Sequence, residues 1–516
     1  MVILAILISA FVVRLYNLSL FPLNHDEVRW HLWSTQYFDK FLGLPVACFH
    51  GYIPSIFCYL VAFSKKIFLN PEYIVRIPAI ALGLATIIAL YALGTELYGR
   101  KTGLISAALL CFLPWHVIQS RVGTTMVLPP LFGCLIFLSL YKAVHQKNDK
   151  WFLSSCFLLG TALFYTYQSS LLFLPIFLAS ILWLRKEPLW LKPKTALLGI
   201  ILFAIIVFPF LYLFFTGKLT AYGQKVMGMF YPDYTIKQGL AALFLKAYEN
   251  AALKFVPTLK GIFFTKAWFQ FGRALEYPLL VHPVSFFLVL ASIAVSLYRR
   301  KPEDKILLLW LALGYLGGIA GVRFGAERYY FTVIMPPLLI FSARIIAALL
   351  NYHHTQRFLV RIVLKSLGFA VFVILFSSSL WQLVTYYYKA PQDFEECRYN
   401  SYGCREAAAY LSKIPEIRDY EIRQDVWMEP LKAYLGYFLY GDSSANNFLH
   451  KEAKGTFFVV WAPDSHSEDY RKEEFDFQLF YKHFRQSYPD ATPEKIIFYP
   501  NGVPALYIFG VPNQKF

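Results

Sequence analysis

The chain has 516 residues, a formal net charge of +17, and 57% hydrophobic against only 16% charged side chains. A soluble domain holds roughly 45–50% apolar residues, so a water-exposed surface could not carry these apolar runs without aggregating. Disordered, fibrous and secreted disulfide-scaffold classes are excluded as well. An excess of Lys and Arg in a soluble protein suggests a polyanion, but here a membrane accounts for the charge and no nucleic-acid partner is expected.

Eleven apolar segments approach the about 20 residues that cross a hydrocarbon core of about 30 Å. They are residues 2–20, 74–94, 103–118, 126–143, 152–166, 169–184, 195–215, 281–298, 306–321, 329–350 and 366–384. Only a polar turn, Tyr165 to Ser170, separates the fifth from the sixth, and without that break everything downstream would invert. The loops at 95–102, 142–151, 185–194, 298–305 and 348–365 hold 16 Lys or Arg in 54 residues, whereas the long alternate loops at 17–72 and 216–280 hold 12 in 121. The positive-inside rule then places the N-terminus in the cytoplasm and the last 130 or so residues outside, in a plasma or inner membrane. No charged n-region precedes Val2 and no small-residue cleavage site follows, so residues 1–20 read as a span and not a signal peptide.

Along the chain, Arg14 falls near the outer end of the first span, and His25, Asp26 and Glu27 follow it. Asn24 and Asp26 both suit a helix cap. The aromatic stripe Trp30, Trp33, Tyr37 and Phe41 then suits a helix lying in the interface. Arg121 occupies a short outer loop. In the second long loop Lys218, Lys225, Lys237, Lys246, Lys254, Lys260 and Lys266 alternate with Phe and Tyr, as a solvated membrane-lying surface or a cradle for an anionic headgroup. Gly314, Gly317, Gly318 and Gly321 read as a packing face. Arg323, Glu327 and Arg328 lead into the tenth span. No acidic residue falls inside a proposed span, which argues against an ion-coupled lipid or sugar transporter. Carboxylates and guanidinium groups gathered at one membrane surface suit chemistry on a phosphorylated lipid, because Arg pairs phosphate bidentately and a carboxylate can take a proton from a hydroxyl.

From about residue 388 the composition becomes mixed. Helical patterns near 404–413, 428–439 and 472–487 interleave with strand-like runs at 419–424, 456–461, 496–499 and 506–509, which predicts a small extracytoplasmic α/β domain over 388–516. Residues 1–387 form the membrane domain. Cys397 and Cys404 flank a hydrophilic segment on the outer side, where a disulfide can form, although spacing alone leaves a reduced pair open.

The segments FVVRLYNLSLFPLNHDEVRW, RIPAIALGLATIIALYALGTELYGRKTGLISAALLCFLPWHVIQSRVG and ERYYFTVIMPPLLIFSA resemble the membrane glycosyltransferases of the GT-C superfamily, in the protein O-mannosyltransferase and lipid A aminoarabinose transferase branch. The resemblance is strongest over residues 10–145 and returns at 281–350. It implies a GT-C-like helical membrane fold and an enzyme that takes a sugar from a polyprenyl-phosphate donor on the outer face. The sugar would pass to a lipid, glycan or protein acceptor with inversion. Whole-oligosaccharide transfer or polymer ligation, and a noncatalytic scaffold, are the alternatives. Carried over, the first-loop aspartate matches Asp26 with Glu27 beside it as the catalytic pair, although Asp26 could instead cap the helix. Arg121 matches the arginine before the fourth span, with a snorkelling anchor as the alternative. Arg328 and Tyr329 match the motif that opens the tenth span, and Arg14 joins them as a candidate phosphate contact. Many relatives carry a second aspartate where this chain has Met126, preceded by Thr124 and Thr125. A divalent metal has no support, because His25, Asp26 and Glu27 do not make a recognisable ligand set and no Asp-x-Asp motif is present.

Overall fold

The protein is described by a computed structural model covering residues 1–24, 26–32, 34, 55–184, 192–215, 253, 255–260, 262–264, 282–320, 328–352, 358–392, 402–415, 417–424, 429–440, 454–461, 477–500 and 502–512. The helices of the membrane part are α1 (Val2–Leu15), α2 (Ile56–Lys65), α3 (Pro71–Tyr98), α4 (Arg100–Phe112), α5 (Pro114–Gln119), α6 (Leu128–Gln146) and α7 (Asp149–Tyr165). They continue with α8 (Phe173–Leu184), α9 (Pro193–Phe215), α10 (Pro283–Arg299), α11 (Pro302–Ala320), α12 (Met335–Leu350) and α13 (Phe358–Lys389). Each of the eleven apolar segments contains a helix. Among the described residues, four helical runs are long and apolar enough to cross a membrane: Pro71–Tyr98, Thr125–Gln146, Phe331–Leu350 and Phe358–Lys389. The break expected at 165–170 is present, because α7 ends at Tyr165 and a 3₁₀ turn, Gln168–Leu172, precedes α8.

That break belongs to a pattern. Among the described residues, three helices are entered through a 3₁₀ turn: α6 after Thr125–Val127, α8 after Gln168–Leu172 and α12 after Arg328–Ile334. In α6 and α12 prolines occupy the first turn, at Pro129–Pro130 and Pro336–Pro337. Proline fits there because its missing N–H is one a helix start leaves unpaired anyway. The turns pack on one another, and Ser169 Oγ lies 3.4 Å from Thr332 Oγ1. Behind them Trp310 of α11 stacks on Phe137 of α6 with ring centroids 4.5 Å apart and donates its indole N–H to Val333 O at 2.7 Å. Gly133 makes room for this, since a Cβ there would stand 2.7 Å from the Trp310 ring.

At the far end of α3 an ion cluster ties four helices together. Arg344 (α12) donates to Asp304 (α11) at 2.9 Å and to Ser296 Oγ (α10) at 2.6 Å, and Tyr98 (α3) donates to the same Asp304 oxygen at 2.7 Å.

The C-terminal part comprises α14 (Cys404–Leu411), β1 (Glu421–Gln424), α15 (Glu429–Tyr440), β2 (Gly455–Trp461), α16 (Phe477–Ser487), β3 (Lys495–Phe498) and β4 (Pro504–Pro512). The strands form one sheet in the order β1-β2-β4-β3, with β1 parallel to β2 and the other pairs antiparallel. Phe458, Phe484 and Phe509 pack α16 on one face, Phe484 and Phe509 lying 4.4 Å apart.

Candidate active site

The segment after α1 turns into a helical stretch at residues 26–32. Asn24 caps it: its side chain accepts the Glu27 N–H at 2.9 Å, while Glu27 Oε2 accepts the Asn24 N–H at 3.0 Å. This is a reciprocal capping box, so the capping role open to Asp26 in the sequence belongs to Asn24. Asp26 itself is half-buried, and among the described residues its carboxylate has no hydrogen-bond or ion-pair partner.

Glu27 is in the opposite condition. It is fully buried and takes the Arg76 Nε at 2.8 Å and the Gly123 N–H at 2.9 Å on Oε1, and the Arg76 Nη2 at 2.9 Å together with the Asn24 N–H on Oε2. Arg76, on α3, spends its other N–H groups on the carbonyls of Leu18, Phe21 and Pro22 at 2.7–3.0 Å. Every donor of the guanidinium and all four acceptor positions of the carboxylate are therefore used. The pair holds the loop, and it leaves Asp26 as the carboxylate of the Asp-Glu dipeptide with lone pairs to spare.

Arg121 donates to the carbonyls of Arg14, Tyr16 and Asn17 at 2.6–2.8 Å and to Val13 O at 3.3 Å, and stacks on the Tyr387 ring at 4.8 Å. Val13 and Arg14 are among the carbonyls that the end of α1 leaves open, and Tyr16 and Asn17 follow directly, so Arg121 caps the helix and the turn after it. Arg14 donates to Ser120 Oγ at 2.8 Å, to Ala10 O and Cys111 O, and contacts His116 Nδ1 at 2.8 Å. Both guanidinium groups thus bind protein acceptors. Arg328 and Tyr329 open the 3₁₀ turn before α12, which packs on the turn that contains buried Met126. Their side chains lie outside the described residues, as do His25, Trp33, Tyr37, Phe41, Cys397 and, Lys260 apart, the lysines of the second long loop. Cys404, the first residue of α14, is fully buried.

Arg76 and Glu72 are the site residues that sequence reasoning missed. They lie four apart on α3, the spacing that puts two side chains on one helix face, and an ionisable group at the edge of an apolar run was the available signal. Glu72 is buried and accepts from the Tyr434 hydroxyl of α15 and from Arg405 Nη1 of α14, the latter at 3.2 Å. Burial and the neighbouring Glu72 carboxylate hold the Tyr434 phenol well above its ordinary pKa, so it remains a donor. Beside α1 an open groove of about 450 Å³ runs toward α13, lined by Val12, Val13, Tyr16, Leu383, Val384 and Tyr387 among others. Among the described residues no three His, Cys, Asp or Glu side chains are grouped to hold a metal.

Residues 53–213 match the family described as dolichyl-phosphate-mannose-protein mannosyltransferase. A search of curated protein sequences finds no match. Among solved structures, apo ArnT from Cupriavidus metallidurans superposes over 99% of both chains with a TM-score of 0.59 at 11% identity. The same protein bound to undecaprenyl phosphate gives 0.57 at 12% identity, again over 99% of both chains. The chain has the GT-C fold. The apo oligosaccharyltransferase of Archaeoglobus fulgidus is a further example, with a TM-score of 0.55 and 13% identity over 85% of this chain; the match spans only 63% of that longer protein. Residues 53–213 thus match a glycosyltransferase family model, within a chain whose fold is that of ArnT and of the archaeal oligosaccharyltransferase.

Proposed function

We propose that the protein transfers a sugar from a polyprenyl-phosphate donor to a lipid, glycan or protein acceptor on the outer face of the membrane, with inversion at the anomeric carbon. The observation that carries the reading is the Asp26 carboxylate. It is unpartnered among the described residues, while the adjoining Glu27 is fully engaged by Arg76, Asn24 and Gly123. Asp26 takes the proton of the acceptor hydroxyl as its oxygen attacks the anomeric carbon. The bond from that carbon to the phosphate oxygen breaks, and polyprenyl phosphate leaves. Arg328 and Tyr329 contact the departing phosphate, and the fixed positive charges of Arg14 and Arg121 behind α1 offset the charge that develops on it. The apolar groove between α1 and α13 gives the isoprenoid chain a lateral way in. Support for this donor class comes from ArnT, described with undecaprenyl phosphate, and from the archaeal oligosaccharyltransferase AglB, described with a dolichol phosphate.

Asp26→Asn preserves the size of the side chain and, because Asn24 is the cap, leaves the helix start intact. General-base contributions are about 100- to 10,000-fold, so transfer should fall by that factor in a purified, donor-binding variant. Near-normal transfer would remove Asp26 from the role. Transfer of a whole oligosaccharide is the second reading, favoured by the likeness to the archaeal enzyme, and the mass added to the acceptor separates the two.

A further inference from the structure

Between Val13 and Leu23 the chain leaves α1 and approaches Asp26 almost without backbone pairing of its own, so side chains from elsewhere supply it. Arg121 takes the carbonyls of Val13, Arg14, Tyr16 and Asn17, and Arg76 takes those of Leu18, Phe21 and Pro22. Tyr387 of α13 adds a bond to Val13 O at 2.7 Å, and two further contacts come from the C-terminal part. Arg405 of α14 donates to Ser19 O at 3.2 Å, and the Tyr434 hydroxyl of α15 accepts the Leu23 N–H at 2.9 Å. The same two side chains meet on Glu72, one turn before Arg76 on α3. Leu23, Glu72 and Tyr434 are each at most 2% exposed, so water cannot substitute for the two bonds that the Tyr434 hydroxyl makes.

We propose that Tyr434 and Arg405 are positioning residues for the glycosyl-transfer site: the C-terminal domain closes the clamp that fixes the backbone of residues 18–24, and with it the direction in which Asp26 presents its carboxylate. The proposal rests on the reading of Asp26 given above. The hydrogen bond at Leu23 lies three residues before Asp26, and the capping box at Asn24 and Glu27 transmits its position rigidly. Tyr434 does not touch the substrate. It acts through an oxygen that holds a main-chain N–H on one side and a carboxylate on the other, a geometry that phenylalanine cannot supply.

The test uses the full-length protein with Tyr434→Phe, which keeps the ring and its stacking on Phe438, and Arg405→Lys, which keeps the charge but loses the fork. Small misplacements at a reacting centre can lower rates by as much as about 100-fold, so the kcat of Tyr434→Phe should fall by about 10- to 100-fold. Its KM for a polyprenyl-phosphate sugar should stay unchanged, and Arg405→Lys should retain part of the rate. Hydrogen exchange of the peptide spanning residues 18–27 should accelerate in Tyr434→Phe while that of α6 does not. A kcat within twofold of wild type, or unchanged exchange of that peptide, overturns the proposal. So does a loss of kcat that only follows a loss of folded protein, with exchange raised throughout the chain. Asp26→Asn, assayed in parallel, reports on the base assignment separately: its activity bears on Asp26, and the exchange of 18–27 in Tyr434→Phe bears on the clamp.

Discussion

Arg76→Met tests whether the buried ion pair or the apolar packing holds the loop that carries Asp26. In the native protein Arg76 is 5% exposed and Glu27 fully buried, and the guanidinium places two N–H groups on the carboxylate and three on main-chain carbonyls. Methionine fills much of the volume but leaves the Glu27 charge in the interior with only two backbone N–H donors. Removing one partner of a buried pair costs about 3–5 kcal/mol because the other is stranded, whereas replacing both charges together is often close to neutral. Arg76→Met combined with Glu27→Gln should therefore be more stable than Arg76→Met alone. It should still fall below wild type, because the carbonyls of Leu18, Phe21 and Pro22 lose their donors and an unpaired buried polar group costs about 1–3 kcal/mol. Unfolding of detergent-solubilised protein followed by tryptophan fluorescence should rank wild type first, the double variant second and Arg76→Met last. If Arg76→Met unfolds within about 1 kcal/mol of wild type, or if the two substitutions simply add, the pair does not carry the loop.

Two further measurements test the orientation and the disulfide expected from the sequence. A reporter fused after Gln382 should be extracytoplasmic and one placed within residues 185–194 cytoplasmic, and finding both on one side would refute an odd number of crossings before the C-terminal domain. Thiol labelling of the denatured chain should count five free cysteines before reduction and seven after if Cys397 and Cys404 are paired; seven from the start would dismiss the disulfide.

The helical segments and the break at 165–170 were legible because apolar runs and a polar turn are local signals, and so were the four strands, each found within two residues at its start. The 3₁₀ entrances were legible in principle. Met-Val-Leu-Pro-Pro-Leu at 126–131 and Val-Ile-Met-Pro-Pro-Leu at 333–338 are near repeats, and both open a helix in the same way. Asp26 could be singled out by its Asp-Glu pair, but its partition from Glu27 could not. Which of two adjacent carboxylates is consumed depends on Arg76 and Gly123, 49 and 96 residues away from Glu27. Tyr434 left no signal at all, since it reads as one more aromatic on an amphipathic helix and its partner Leu23 is 411 residues distant. Arg14 and Arg121 carry the positive charge expected near the site, yet Arg121 spends its donors on main-chain carbonyls and Arg14 on carbonyls together with Ser120 and His116, and a sequence does not display which carbonyls a helix end leaves open.

The ion cluster at the far end of α3 bears on how the chain enters the bilayer during synthesis. Arg344 lies midway along α12, where an arginine adds about 2.5–3.5 kcal/mol to the free energy of inserting a helix. Its counter-charge, Asp304, belongs to the preceding helix, 40 residues earlier, with Ser296 just before that. The insertion machinery therefore receives the acid before the base. When α12 arrives, α10 and α11 already present the carboxylate and the hydroxyl that accept its guanidinium, so these three helices are suited to partition as a single hairpin-like unit and not one at a time.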